Sequence, residues 1–118
     1  MAKKNGPLSS VIKVDQFDTH ASQGADEYGR HGERLAIVDD IIAGYKEGLG
    51  DAWDRSIILT LTEFGRTVKE NGTWGTDHGW GSAALLAGGA ITNSRVISKW
   101  PGLAERDLFE NRDLVSTI

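Results

Sequence analysis

Three short segments of the sequence place carboxylate and imidazole side chains where they could bind a metal ion. Asp18 and His20 are two residues apart, so both side chains point the same way in an extended segment. Glu63 ends an apolar stretch, where a carboxylate without a partner would be costly. Asp77 and His78 lie between two glycines, which permit close backbone approach. Because such donors suit zinc, manganese, magnesium or iron, these five residues are the candidate ligands of one site or two.

Each segment also has a simpler structural explanation. An isolated Asp-x-His is more often a solvated turn than a pair of ligands. Glu63 can form an ion pair with Arg66, and the loop around Asp77 and His78 can simply be a turn. Arg66 could bind an anionic phosphate or sulfate through its planar guanidinium, or it could pair with Glu63, Glu70 or Asp77.

The remaining histidine and the tryptophans have less specific interpretations. His31 matches no motif, and we expect a surface or helix-start residue. Trp74 and Trp80 could line a substrate cleft, although packing against the glycine-rich loop is the favoured role. Trp53 and Trp100 are expected in the core or at an interface.

The elements that would position these residues follow the order strand, helix, strand. Residues 9–14 are rich in β-branched side chains and predict a first strand. An amphipathic helix is predicted from about Glu33, ending near Gly48 and Gly50, because apolar residues recur there at spacings of three and four. Those apolar residues are Leu35, Val38, Ile41, Ile42 and Tyr45.

The near-continuous apolar run at residues 57–61 predicts a second strand, and residues 83–90 a weaker third one. A strand, a helix and a strand of this kind form a βαβ unit, whose two strands are parallel. The predicted fold class is therefore α/β. Open parallel sheets bind ligands beyond the carboxyl ends of their strands, where Asp18, His20 and Glu63 fall.

Length and composition argue against several classes of protein. The length of 118 residues suits a single domain, with residues 1–10 expected to be a flexible N-terminus. Thirteen basic against seventeen acidic residues argue against nucleic acid as a partner. The absence of cysteine excludes disulfides and thiolate ligands. No apolar run reaches the length that spans a bilayer, and no signal peptide is recognisable, so we predict no membrane partner and assign no compartment.

Four motifs together carry a family resemblance: Phe-Asp-Thr-His, Thr-Glu-Phe-Gly-Arg-Thr, Thr-Asp-His-Gly-Trp-Gly, and a tail with Trp-Pro-Gly-Leu and Arg-Asp-Leu. In order and spacing they resemble the sulfatase-like family called domain of unknown function 1501. The resemblance runs from residue 11 to about residue 117. That family is related to the alkaline phosphatase and sulfatase superfamily, whose members cleave phosphate or sulfate esters at a bimetal centre.

The resemblance implies roles for individual residues. Asp18 and His20 match the family's Asp-Thr-His, Glu63 and Arg66 its Glu-Phe-Gly-Arg, and Asp77 with His78 its Asp-His pair. It also implies a parallel-sheet sandwich of alkaline phosphatase type, of which this chain resembles the C-terminal portion. Only seventeen residues precede Asp18, whereas superfamily members carry a metal-binding Asp and the nucleophile in a long N-terminal part. Full-length relatives are often exported.

Two functions from different classes are therefore expected. The first is a metal-dependent hydrolase module acting on an anionic small-molecule ester, incomplete in this chain, with zinc as the leading metal and manganese, magnesium, iron or calcium as alternatives. The second is a non-catalytic remnant that serves as a metal-binding or assembly module. A homo-oligomer is expected in either case, because a piece of a parallel sheet leaves an unpaired edge and an uncovered apolar face.

Overall fold

The computed structural model describes residues 9–115 of the chain. The flexible N-terminus predicted for residues 1–10 falls mostly outside this range. One long helix is followed by short strands and two 3-10 helices. In chain order these are helix α1 (Arg30–Leu49), a 3-10 helix (Gly50–Arg55), strands β1 (Ile58–Leu59), β2 (Gly65–Arg66), β3 (His78–Gly79) and β4 (Leu86–Ala87), a second 3-10 helix (Glu105–Asp107), and strands β5 (Leu108–Phe109) and β6 (Asp113–Leu114).

Helix α1 confirms the helix predicted from the apolar spacing. It begins three residues before Glu33, and Gly50 ends it with φ at 50°, a value that favours glycine. Glu33 in the first turn and Lys46 in the last turn have the charges that the helix dipole favours. Across residues 9–115, no helix is both long and apolar enough to span a bilayer.

The strands pair differently from the prediction. They form three separate two-stranded sheets, and all three pairs are antiparallel. β1 lies within the predicted strand 57–61 and pairs with β4, in the predicted strand 83–90. Mixed α and β content is confirmed, but the expected parallel pairing across a βαβ unit is not found among the described residues.

Residues 9–14 form no strand because this segment lies against the helix. The Ser10 hydroxyl is 2.9 Å from the Tyr45 hydroxyl, and Ile12 lines an apolar groove of about 450 Å³ with Ile41 and Tyr45. Of the β-branched side chains, Ile12 lies beside α1, whereas Val11 is 97% exposed, and neither extends a sheet. This packing removes the first strand of the predicted βαβ unit.

The buried polar side chains come from three separate segments of the chain. Thr19 is 1% exposed, and Thr67 and Asp113 are also buried. Leu108 is the buried apolar residue of the described range, whereas α1 has no buried residue. The best-packed part of the structure is therefore the surroundings of the predicted site.

Backbone hydrogen bonds join residues 19–23 to residues 73–76. The Thr76 amide donates to the Thr19 carbonyl at 3.2 Å, the Ser22 amide to the Thr73 carbonyl at 3.0 Å, and the Gln23 amide to the Trp74 carbonyl at 2.8 Å. This contact depends on a glycine, since a Cβ at position 75 would lie 2.4 Å from the His20 carbonyl carbon. The first and third motifs are thereby brought side by side.

Candidate metal centre

Three of the predicted ligands converge on one point. Asp18 Oδ1 lies 3.0 Å from His20 Nε2 and 2.9 Å from His78 Nε2, and the two imidazole nitrogens are 3.2 Å apart. The chain positions them from two directions, because Asp18 and His20 come from the loop before α1 and His78 from strand β3. All three side chains are exposed, so an ion could reach them from solvent.

The spacing of these atoms fits a single divalent ion. Ligands bound at about 2.0–2.2 Å, with angles between about 90° and 109° at the ion, are separated by roughly 2.8–3.6 Å. All three observed separations fall in that range. Two imidazoles and one carboxylate suit zinc, iron or manganese and leave coordination positions for water or substrate. The three residues therefore form a possible metal-binding group, whose geometry does not select one metal.

Asp77 lies behind this group. Its Oδ1 is 3.0 Å from His20 Nδ1, on the side of the ring that faces away from the other ligands. A carboxylate there accepts a hydrogen bond from Nδ1–H and leaves the Nε2 lone pair free for a metal. Carboxylates commonly orient metal-binding histidines in this way. The structure thus places Asp77 as a partner of His20 and outside the group of three ligand atoms.

The surrounding charges keep both carboxylates ionised. The hydrogen bond from Arg66 holds the pKa of Asp18 below its ordinary value, and hydrogen bonding from His78 acts in the same direction. Hydrogen bonds from His20 and then from Asn71 lower the pKa of Asp77. Ionised carboxylates are the form that binds a cation or accepts an imidazole proton.

Arg66 is held by its neighbours through all three of its nitrogens. Nη1 donates to Asp18 Oδ1, Nη2 to the Thr76 carbonyl, and Nε to the Thr76 hydroxyl at 3.1 Å. Arg66 forms its ion pair with Asp18 and not with Glu63, Glu70 or Asp77, the partners suggested by the sequence. In this arrangement Arg66 balances the charge of a ligand, and three of its five N–H donors are used, which leaves two for an anion.

Glu63 lies apart from the three ligands. Its side chain is exposed, and within the described residues it joins neither the metal-binding group nor an ion pair with Arg66. The next residue, Phe64, has the direct contact: its ring stacks on His78 with centroids 4.0 Å apart. The Thr-Glu-Phe-Gly-Arg-Thr motif therefore contacts the group through Phe64 and Arg66.

The tryptophans and His31 take other positions. Trp74 and Trp80 are 73% and 78% exposed, so neither is packed against the glycine-rich loop. Trp53 is half-buried, and Trp100 is 62% exposed. His31 lies at the start of α1, as expected, where its ring meets the edge of Phe17 at 5.6 Å.

The sequence did not point to Asn71 or Gln23, although both connect the segments of the site. Gln23 Oε1 accepts hydrogen bonds from the Thr19 and Thr76 hydroxyls, each at 2.7 Å. Asn71 donates to Asp77 Oδ1 at 3.0 Å. The available signal for Asn71 was the Asn-Gly dipeptide at residues 71–72, which is typical of turns and says nothing about a distant partner.

Comparison with known proteins identifies a family. No curated protein and no solved structure matches the chain. The profile of one family, described as "Protein of unknown function (DUF1501)", matches residues 5–118, which is nearly the whole sequence. The chain therefore belongs to the DUF1501 family.

Proposed function

We propose that the chain is a metal-dependent hydrolase module of the alkaline phosphatase and sulfatase type, which acts on phosphate or sulfate esters. Asp18, His20 and His78 hold a divalent ion, with zinc as the first candidate. The observation that carries this proposal is the convergence of three ligand atoms within 3.2 Å of one another. The carboxylate behind His20 supports it, because that arrangement presents a neutral imidazole to a metal.

The charges around the group favour an anionic substrate. Asp18 is paired with Arg66, and Asp77 Oδ2 lies 3.9 Å from the Arg112 guanidinium, so the two carboxylates are balanced before any ion binds. A divalent ion would make the site net positive and would polarise an ester oxygen for attack. Phosphate and sulfate esters carry the complementary negative charge.

We also propose that the fold is part of the parallel-sheet sandwich of this superfamily. The placement of Phe64 and Arg66 just after the apolar strand β1 supports this, since open parallel sheets carry ligand sites beyond the carboxyl ends of strands. An experimental structure with a parallel strand beside β1 would support the assignment. Antiparallel neighbours on both edges of β1 would contradict it.

A second candidate is a non-catalytic metal-binding or assembly module. Three threonine hydroxyls beside the site favour it, because each already donates a hydrogen bond to an amide or carbonyl oxygen. Thr19 and Thr76 donate to Gln23 Oε1, and Thr73 donates to the His20 carbonyl at 2.7 Å. Amide and carbonyl oxygens are weak bases, so none of these hydrogen bonds activates a hydroxyl as a nucleophile.

Metal titration and an ester panel separate these candidates. Chelator-stripped protein is titrated calorimetrically with zinc, manganese and magnesium, then assayed with phosphate and sulfate esters. Asp18→Asn removes a ligand charge, and Asp15→Asn is the matched control, because Asp15 pairs with Lys13 outside the group. Binding and hydrolysis that Asp18→Asn abolishes and Asp15→Asn retains would support the hydrolase. Binding without hydrolysis would support the second candidate, and no binding of any ion would refute the metal centre.

A further inference from the structure

Asn71 makes more side-chain contacts around the site than its position in a turn requires. Nδ2 donates to Asp77 Oδ1 at 3.0 Å and to the His20 carbonyl at 2.9 Å. Oδ1 accepts from the Thr73 amide at 3.0 Å and from the Gly75 amide at 3.1 Å. The Asn71 side chain therefore closes its own loop through its oxygen and links Asp77 to His20 through its nitrogen.

We propose that Asn71 is the positioning residue of the metal centre: it holds the Asp77 carboxylate against His20 Nδ1, so that His20 presents the unprotonated Nε2 to the ion. This inference rests on the proposed metal-binding function and assigns a role within that site. Asn71 touches neither the ion nor a substrate, and it acts through the bond between Asp77 and His20.

The geometry explains why an asparagine is suited to this position. The side chain must donate on one side, to a carboxylate and a carbonyl, and accept on the other side, from amides of its own loop. An amide group provides both functions at once, whereas a carboxylate only accepts. Aspartate at this position would keep the loop contacts but would place a second negative charge about 3 Å from Asp77 Oδ1.

The inference predicts that Asn71 variants lose metal affinity through His20. In Asn71→Ala the zinc affinity, measured by calorimetry, should fall by about 10- to 100-fold, the usual effect of removing a partner that orients a ligand. The matched control is Thr73→Val, which loosens the same loop and removes the Thr73 hydroxyl bond to the His20 carbonyl but leaves the contact between Asn71 and Asp77. It should lower the melting temperature without a comparable loss of affinity.

A second readout needs no metal. Imidazole ¹⁵N shifts of the metal-free protein, in mildly alkaline solution, should show His20 with its proton on Nδ1, and Asn71→Ala should lose this preference. If zinc does not bind to the parent protein, the proposed function fails, while the tautomer still decides the role of Asn71. The inference is overturned if parent and variant share the same His20 tautomer, or if Thr73→Val loses as much affinity as Asn71→Ala.

Discussion

At the scale of single residues, the three histidines differ in role although they are the same in type. His20 and His78 share the Asp18 carboxylate, whereas His31 packs against Phe17 at the start of α1. His31 Nδ1 is buried and has no hydrogen-bond partner among the described residues. Its environment is therefore structural, and it provides an internal control for the metal-binding assignment.

Alanine at His20 or His78 should abolish most of the stabilisation that metal gives. Binding stabilises the folded state by RT ln(1 + [L]/Kd), which is about 2.7 kcal/mol at a hundred times Kd. Each site variant loses a ligand that water replaces poorly, so its melting temperature should respond weakly to added zinc. His31→Ala should keep the zinc-dependent increase even if its metal-free melting temperature changes. Equal responses in all three variants would contradict the assignment.

Removing the guanidinium at residue 66 should raise the pKa of Asp18. The hydrogen bond from Arg66 is the main cause of the low pKa of this carboxyl group, so Arg66→Ala should bring it back toward its ordinary value. Because the pKa of Asp18 is lower in the folded than in the unfolded protein, the ionised carboxylate stabilises the fold at pH values above the unfolded pKa of about 3.9. This contribution is lost as the pH falls through the folded pKa. Carboxyl ¹³C shifts followed by NMR through the acid range measure the change; an unaltered midpoint would show that the bond to Arg66 is not formed in solution.

At the scale of elements, the site depends on a loop more than on regular structure. Residues 71–75 close on themselves through Asn71 and lie against residues 19–22. Trp74 has φ at 62°, an uncommon value for a bulky side chain. Such conformations persist where the surroundings fix them, and here hydrogen bonds to the His20 segment do so.

Two glycines of this loop should respond differently to alanine. In Gly75→Ala the new Cβ would lie 2.4–2.5 Å from backbone atoms of Thr19 and His20, so the loop must move away and both stability and zinc affinity should fall. Gly72 has no atom within 4 Å of such a Cβ, and Gly72→Ala should change both quantities little. Chemical denaturation and calorimetry on both proteins make the comparison. Gly75→Ala protein with parental zinc affinity would show that the loop does not position the site.

At the scale of the whole molecule, many large apolar side chains of residues 9–115 are exposed. The accessible surface is 9784 Å², whereas a folded monomer of 12.8 kDa exposes about 6,300 Å². The excess is larger than the roughly 1,200–2,000 Å² that a standard protein interface buries. Side chains at least half exposed include Val11, Leu35, Leu61, Val96 and Ile97. Surface of this extent favours association.

We predict that the purified protein self-associates, with a dimer as the simplest closed assembly. Light scattering at micromolar and higher concentrations should give a mass above that of one chain. Raising the salt concentration should not dissociate the assembly, because apolar burial is not screened as charge pairs are. A monomer mass throughout that range would contradict the prediction.

Features that depend on neighbours along the chain could be predicted from the sequence. The helix followed from apolar spacing, and its end followed from the glycine at position 50, because both depend on local backbone geometry. The residue types of the metal group were also visible, since Asp18 and His20 are two residues apart in one motif and His78 lies in another. The sequence did not give the distance between those motifs, although family resemblance grouped them.

Which residues are partners depends on long-range contacts, and these are seen only in the folded protein. Whether β1 pairs with β4 or with residues 9–14 depends on which long-range contacts form, and a strand pattern is the same for either partner. The sequence does not distinguish the roles of Asp77 and Asp18. In the structure Asp77 faces Nδ1 of His20, whereas Asp18 faces Nε2. Asn71 could be found only through its distance to Asp77, because hydrogen bonds act over about 3 Å and the turn signal of Asn-Gly is local.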